Sequence, residues 1–199
     1  MLTAGKRAKK QGKPVVLDPV GAGASRFRTK TAKMLVKKLS PQIVKGNVSE
    51  IKALFEGKTD SRGVDASLGE RDIKNDTALA EKAAREHNCI VIITGKTDIV
   101  TDGKRTYFTY NGHSLMQSVT GMGCRLSALL AAFAAAENGD TLISAVSSVC
   151  AMGVCGEKAF ERMENKDGSG SFSVYFTDAL YSLTGEELEA RARFEEKKI

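Results

Sequence analysis

Three short apolar runs, rich in β-branched residues and separated by helical patterns, constrain the fold more than any other feature of this chain. "CIVIITG" at residues 89–95 is the most strand-like, and residues 15–17 and "QIVKGN" at 42–47 are shorter runs of the same kind. Strands buried on both faces have this composition. The intervening helical patterns imply right-handed crossovers. We therefore predict an α/β fold, in three layers, with a mostly parallel sheet flanked by helices.

Caps and breakers set the expected limits of the helices. We predict helices over residues 29–39, 48–57 with Asn47 as N-cap, 77–87 with Asp76 as N-cap, 123–137 and 141–163, and a last short helix opened by a capping box of Thr184 and Glu187. The alternating segments on either side of Asp102 and Gly103 predict a hairpin. The charged segment 58–74 and "KDGSGSF" at 166–172 are predicted to be loops.

Length and composition favour one domain over residues 1–199 and exclude several classes of protein. The longest apolar runs are much shorter than the roughly 20 residues of a membrane span. Thirty Lys and Arg against 24 Asp and Glu give a net charge of +6. No aromatic residues interleave the basic runs, so we expect neither nucleic acid nor membrane as a partner. Four cysteines without a Cys-x-x-Cys pair favour a reduced, cytoplasmic protein.

Polar residues follow the predicted strands, at the sheet edge where α/β proteins bind ligands. Asp18 and Glu50 are the candidate ligands of a magnesium ion, which prefers carboxylate oxygens. Lys45 could neutralise phosphate oxygens, and Thr94 could donate a hydrogen bond to them. Each has an alternative reading: a turn former or cap for Asp18 and Thr94, a solvated first-turn side chain for Glu50, and an ordinary surface lysine for Lys45.

The Gly-Met-Gly-Cys tetrad at 121–124 begins a long run of small apolar residues. The first amides of a helix lack internal partners, and Gly121 and Gly123 would let an anion approach them without interference from a Cβ. Cys124 lies where a helix dipole acts on a thiol and where a side chain could accept a proton from an attacking alcohol. The alternatives are a tight turn for the glycines and buried structure for Cys124.

Taken together, "VVLDPVGAGASRFRT", "VKGNVSEI", "VIITGKTDIVTDG", "NGHSLMQSVTGMGC" and "DGSGSF" resemble the hydroxyethylthiazole kinase family of the ribokinase-like superfamily. The resemblance implies ATP-dependent phosphorylation of 4-methyl-5-(2-hydroxyethyl)thiazole, Mg²⁺ as cofactor and a homotrimer. It assigns roles to the following residues: anion hole and candidate base, Gly121, Gly123 and Cys124; ATP, Lys45, Asn47, Thr94, Thr120 and Gly121; thiazole, Gly121 and Met122; metal, Asp18 and Glu50.

The chain departs from the family pattern in three places. Lys45 stands where arginine is common and offers no planar fork to phosphate, so we expect weaker ATP binding. Met122 replaces a small residue and would crowd the substrate side. The family usually begins with further strands and helices, so the fold is expected to be truncated at the amino terminus. The alternatives left open are a non-catalytic nucleotide-binding or assembly module, and a kinase for a related hydroxymethylpyrimidine.

Overall fold

The structure is a computed structural model that describes residues 1–57, 72–136 and 139–198. The chain divides into two compact units, Met1–Tyr107 with Glu196–Ile199 and Phe108–Glu195. Positions 58–71 of the predicted loop lie outside the described residues. A single domain over residues 1–199 stays a prediction.

The strands form one mixed sheet, in the order in which they occur along the chain. Their bounds are β1 Val16–Leu17, β2 Ile43–Asn47, β3 Ile90–Thr94, β4 Asp98–Thr101, β5 Thr106–Thr109 and β6 Phe194–Glu196. β1, β2 and β3 are parallel, with Val44 opposite Leu17 and Val91. β4 is antiparallel to β3 because the connection at residues 95–97 is too short for a crossover. The three apolar runs are therefore confirmed as parallel strands, and the hairpin after them makes the sheet mixed.

Helices connect and follow these strands. Their bounds are α1 Leu2–Lys10, α2 Arg26–Leu39, α3 Val48–Phe55, α4 Ile73–His87, α5 Met122–Ala136, α6 Thr141–Glu161, α7 Ser169–Ser182 and α8 Gly185–Arg191, and a 3₁₀ helix covers Ser114–Ser118. The N-cap predicted at Asn47 is confirmed: its side chain accepts a hydrogen bond from the Glu50 amide, and the Glu50 carboxylate accepts one from the Asn47 amide. This capping box sets the junction between β2 and α3.

One predicted helix cap and part of two predicted loops were wrong. Asp72, rather than Asp76, caps α4, since its carboxylate accepts hydrogen bonds from the amides of Lys74 and Asn75. Asp76 is buried inside the first turn, 3.5 Å from Lys52 Nζ of α3. Residues 72–74 thus belong to a capped helix rather than to a loop, and α7 begins at Ser169, within the predicted glycine-rich loop. β6 was not predicted.

α6 is the central helix of the Phe108–Glu195 unit, and both α5 and α7 pack against it. Among the described residues it alone is long and apolar enough to cross a membrane, but 78% of its most apolar window is buried within the protein, as in a core helix. A Cβ added at Gly153 would lie 2.5 Å from the Asn111 backbone, and one at Gly156 would lie 2.4 Å from Met116 Sδ. The segment after β5 therefore crosses α6 where the helix has no side chains.

Candidate functional site

Asp18 and Lys45 form a buried ion pair at the carboxyl end of the parallel strands. β1 ends at Leu17, which pairs with Val44 of β2, so Asp18 after β1 and Lys45 within β2 lie at the same level. Lys45 Nζ donates to Asp18 Oδ2 at 2.7 Å, and the two side chains are only 5% and 15% exposed. The surface alternative for Lys45 is thereby wrong. Two charges that would be costly to bury separately stabilise each other here.

Glu50 joins the loop after β1 to the start of α3. Its Oε1 accepts a hydrogen bond from the Gly21 amide at 2.9 Å, and its Oε2 accepts one from the Asn47 amide at 3.0 Å. Gly21 has φ +74°, in the left-handed region that favours glycine. The Glu50 carboxylate is therefore not a solvated side chain: it fixes the loop that carries Asp18 onto the junction between β2 and α3.

Thr94 ends β3 beside this junction. The register places it opposite Asn47, and its hydroxyl donates to the Gly46 carbonyl at 3.4 Å. The structure thus brings together, in one unit, five of the residues predicted to bind metal and ATP, which are Asp18, Lys45, Asn47, Glu50 and Thr94. Each of them already contacts another part of the protein.

The donor set of this group suits a hard cation. Within the described residues no group of three or more His, Cys, Asp or Glu could enclose a metal ion. Mg²⁺ is usually held by one or two carboxylates, with waters and substrate phosphates completing its shell. An ionised carboxylate has about four lone-pair sites, so the two amides bound to Glu50 leave acceptor capacity on its oxygens. Asp18 and Glu50 therefore offer oxygens of the kind that a magnesium ion shared with a nucleotide would require.

The second predicted group lies in the Phe108–Glu195 unit, at the start of α5. Gly121 has φ +91°, and a Cβ added there would meet nothing within 4 Å. Thr120, Gly121, Gly123 and Cys124 are exposed, whereas Met122 is only 8% exposed. The Arg125 amide donates to the Gly121 carbonyl at 2.9 Å and closes the first turn. The helix start is therefore open at Gly121, and the side chain of Met122 points mainly into the protein.

Cys124 differs from the other cysteines. It is exposed, whereas Cys89, Cys150 and Cys155 are buried. Burial raises the pKa of the Cys89 thiol to about 11, and burial likewise raises that of Cys155 to about 11. The buried-structure alternative for Cys124 is thereby wrong, and of these four thiols Cys124 is the one accessible to a dissolved reactant.

The sequence reading passed over Arg125, which follows Cys124 directly. Its Nη2 donates to Ser173 Oγ of α7 at 2.8 Å, and its guanidinium lies over the Phe176 ring, 5.4 Å from the centroid. It is the one charged residue of α5, whose other residues are apolar or small. A single arginine in the first turn of such a helix is visible in the sequence and could have marked this residue as a functional candidate.

A separate cavity of about 290 Å³ lies in the same unit. Its lining includes Val146 of α6, Leu188 of α8 and Phe194 of β6 and is mainly apolar. None of the predicted site residues lines it. Phosphate transfer requires polar groups around the reacting oxygens, so this cavity is not the site that the sequence predicts.

Comparison with known proteins identifies the family of this chain. Residues 1–186 match the hydroxyethylthiazole kinase family. A hydroxyethylthiazole kinase of Pyrococcus furiosus is 49% identical over 100% of this chain and 72% of its own length. One of Clostridium acetobutylicum is 40% identical over 98% of this chain and 73% of its own length.

Solved structures agree as well. The hydroxyethylthiazole kinase structure from Pyrococcus horikoshii OT3 superposes with a TM-score of 0.83 at 36% identity, covering 99% of this chain and 70% of that one. A Staphylococcus aureus pyridoxal kinase in complex with AMP-PCP and pyridoxal shares the fold, with a TM-score of 0.58 at 18% identity over 100% of this chain and 69% of that one. The predicted α/β, ribokinase-like fold class is confirmed, and the chain belongs to the hydroxyethylthiazole kinase family.

Proposed function

We propose that this chain transfers the γ-phosphoryl group of ATP to the hydroxyl of 4-methyl-5-(2-hydroxyethyl)thiazole, in thiamin salvage. The observation that carries the proposal is family membership over nearly the whole chain, with relatives named hydroxyethylthiazole kinase at 40% and 49% identity. The open, glycine-flanked start of α5 supports it, because such a turn suits an anionic phosphate.

The proposed reaction is an in-line displacement. The hydroxyl oxygen of the thiazole forms a bond to the γ-phosphorus while the bond from that phosphorus to the bridging oxygen breaks, and ADP leaves. Amides at Gly121 and Gly123 stabilise charge on the transferring group, and Lys45 neutralises phosphate oxygens. Asn47, Thr94 and Thr120 contact the nucleotide. Positioning and electrostatics supply most of the acceleration in such reactions.

Cys124 is the proposed base. It is exposed at the first turn of α5, close to Gly121, which is proposed to contact the thiazole; the side chain of Met122, predicted to share this contact, is mostly buried. Its sulfur would accept the proton of the attacking hydroxyl. A cysteine is a weaker choice than an aspartate, since only about 3% of an ordinary thiol is ionised at pH 7. We therefore expect the base to contribute less to the rate than electrostatic stabilisation of the transferring phosphoryl group.

Asp18 and Glu50 are the residues proposed to hold Mg²⁺. When bound, the ion would neutralise negative charge on the nucleotide phosphates. Lys45 binds Asp18 in the structure, so the ammonium group also limits the net negative charge of this region. The same hydrogen bond holds the Asp18 carboxylate in place.

The direct test uses purified protein, ATP and the thiazole alcohol, with measurement of nucleotide binding and of phosphorylated product. Binding together with product formation is the expected result. Binding of ATP without turnover of any alcohol would contradict the proposal and indicate a nucleotide-binding module. Faster turnover of a hydroxymethylpyrimidine than of the thiazole would transfer the assignment to a pyrimidine kinase.

Variants of Cys124 test the base. Cys124→Ala should lower kcat, by up to the roughly 10² to 10⁴ typical of a general base, whereas Cys124→Asp should keep or raise it. Steady-state kinetics at saturating ATP measures both. Because Cys124 is exposed, neither change disturbs the core, and unfolding in urea serves as the control. Equal rates in the wild type and both variants would remove Cys124 from the mechanism.

A homotrimer in the cytoplasm completes the proposal. Large apolar side chains in the loop after β1 and at the start of α2 support an assembly, since Val20 is 53% exposed and Phe27 is 78% exposed. A mass measurement in solution at micromolar concentration tests it. A monomer at all concentrations up to those in which the enzyme is active would contradict the trimer.

A further inference from the structure

Arg125 connects the first turn of α5 to α7. Its Nη1 lies 4.0 Å from Met122 Sδ in that turn, and its Nη2 donates to Ser173 Oγ at 2.8 Å. The guanidinium lies over the ring of Phe176, which is fully buried. α5 and α7 each pack against α6, so the Arg125 side chain is a direct link between two helices whose main packing is with a third.

A second arginine that packs on α7, the C-cap of α6, makes an instructive comparison. Arg162 lies over the Tyr175 ring, 4.4 Å from the centroid, and donates to Asp178 Oδ2 at 2.7 Å. Arg125 has an aromatic ring too, but among the described residues it forms no ion pair, and its polar partners are a hydroxyl and a thioether. Both arginines pack on the same helix, yet Arg125 carries a half-buried charge that no carboxylate in the described part of the chain balances.

The position of this charge is unfavourable for the isolated helix. A cation in the first turn opposes the helix dipole, at a cost of about 0.3 to 1 kcal/mol. A leucine there would continue the apolar sequence of α5 without this cost. The charge is compatible with an anion at the same turn, which is the ligand that the proposed function places there.

We propose that Arg125 is a positioning residue for phosphoryl transfer: it braces the turn of Gly121 to Cys124 against α7 and holds the amides of that turn in the orientation that the transferring phosphate needs. The proposal rests on the proposed kinase function and deepens it. Arg125 acts through Met122 and the backbone of the turn, so its loss should affect the chemical step more than the binding of either substrate. A misplacement of about 1 Å can cost about 100-fold in rate.

The test compares Arg125→Met, Arg125→Lys and the matched control Arg162→Met in the full chain. We expect Arg125→Met to lower kcat about 10-fold while the KM values for ATP and thiazole change less than about 2-fold. Arg125→Lys keeps a cation over the Phe176 ring and should regain part of the lost rate. Arg162→Met removes a similar contact with α7, and it should leave kcat unchanged. Urea unfolding of all three variants measures stability separately.

Three results would refute the role of Arg125. A wild-type kcat in Arg125→Met refutes the inference while the wild type's turnover leaves the proposed function intact. An equal loss of kcat in Arg162→Met would show that any weakened contact with α7 slows the enzyme, and would also refute it. A wild type that binds no ATP and forms no product refutes the proposed function, and the inference falls with it.

Discussion

The two groups of predicted site residues differ in how far the protein itself occupies them. In the Met1–Tyr107 unit, Lys45 binds Asp18, and Glu50 binds two backbone amides. At the start of α5 the opposite holds: Gly121 faces open space and Cys124 is exposed. The side chains of the first group are therefore held by other parts of the protein, whereas Gly121 and Cys124 of the second group face outward. Changes in the first group should affect stability as well as nucleotide binding, whereas changes in the second should affect the chemical step with little loss of stability.

The largest effect on stability is expected from Lys45→Met. Asp18 would lose its ammonium partner while remaining mostly buried, and breaking such a pair costs about 3 kcal/mol. The free energy of unfolding in urea measures the loss. Lys45→Arg keeps the charge and should lose much less. An unfolding free energy equal to that of the wild type in Lys45→Met would show that folding does not depend on this pair, and would break the comparison.

Gly121→Ala should have a smaller effect on stability and a larger one on turnover. The added methyl group meets nothing within 4 Å, so only the positive φ costs free energy, about 1 kcal/mol. A Cβ beside the amides should hinder a phosphate, so kcat should fall by more than the stability loss explains.

Gly57→Ala is the matched control for that change. Gly57 has φ +73°, and its Cβ would make only an ordinary contact with Lys33 Nζ at 3.5 Å. We expect a similar loss of unfolding free energy with unchanged kcat. If both variants lost turnover equally, the open turn of α5 would have no special part in the reaction.

The smallest perturbation is alkylation of the native protein with iodoacetamide at pH 8. Cys124 should react first because it is exposed. Cys89 and Cys155 are buried, and with a pKa of about 11 only about a thousandth of each thiol is ionised at that pH. Peptide mass spectrometry gives the order of modification, and ATP with the thiazole should slow the reaction of Cys124. Modification of a buried cysteine before Cys124 would contradict the exposed position of this residue.

The sequence predicted local features well and long-range pairs poorly. The Asn47 cap depends on residues a few positions apart, so it could be predicted, and so could the strand of residues 90–94. The bond between Lys45 and Asp18 depends on the register of two strands, which the sequence does not specify. Asp72 and Asp76 both suit an N-cap, and the choice between them followed from burial of Asp76 against Lys52. The contact of Arg125 with α7 likewise requires tertiary packing.

The two glycines of α6 show that long-range contacts also matter for the design of variants. Gly153 and Gly156 leave a groove that the Asn111 backbone and Met116 fill. The path of the chain toward Gly121 therefore depends on the absence of side chains at these two positions of α6. Replacing a helical glycine by alanine ordinarily stabilises a helix. At Gly153 or Gly156 it would displace the segment that contains Asn111 and Met116. Engineering α6 for greater robustness should therefore leave these two positions untouched.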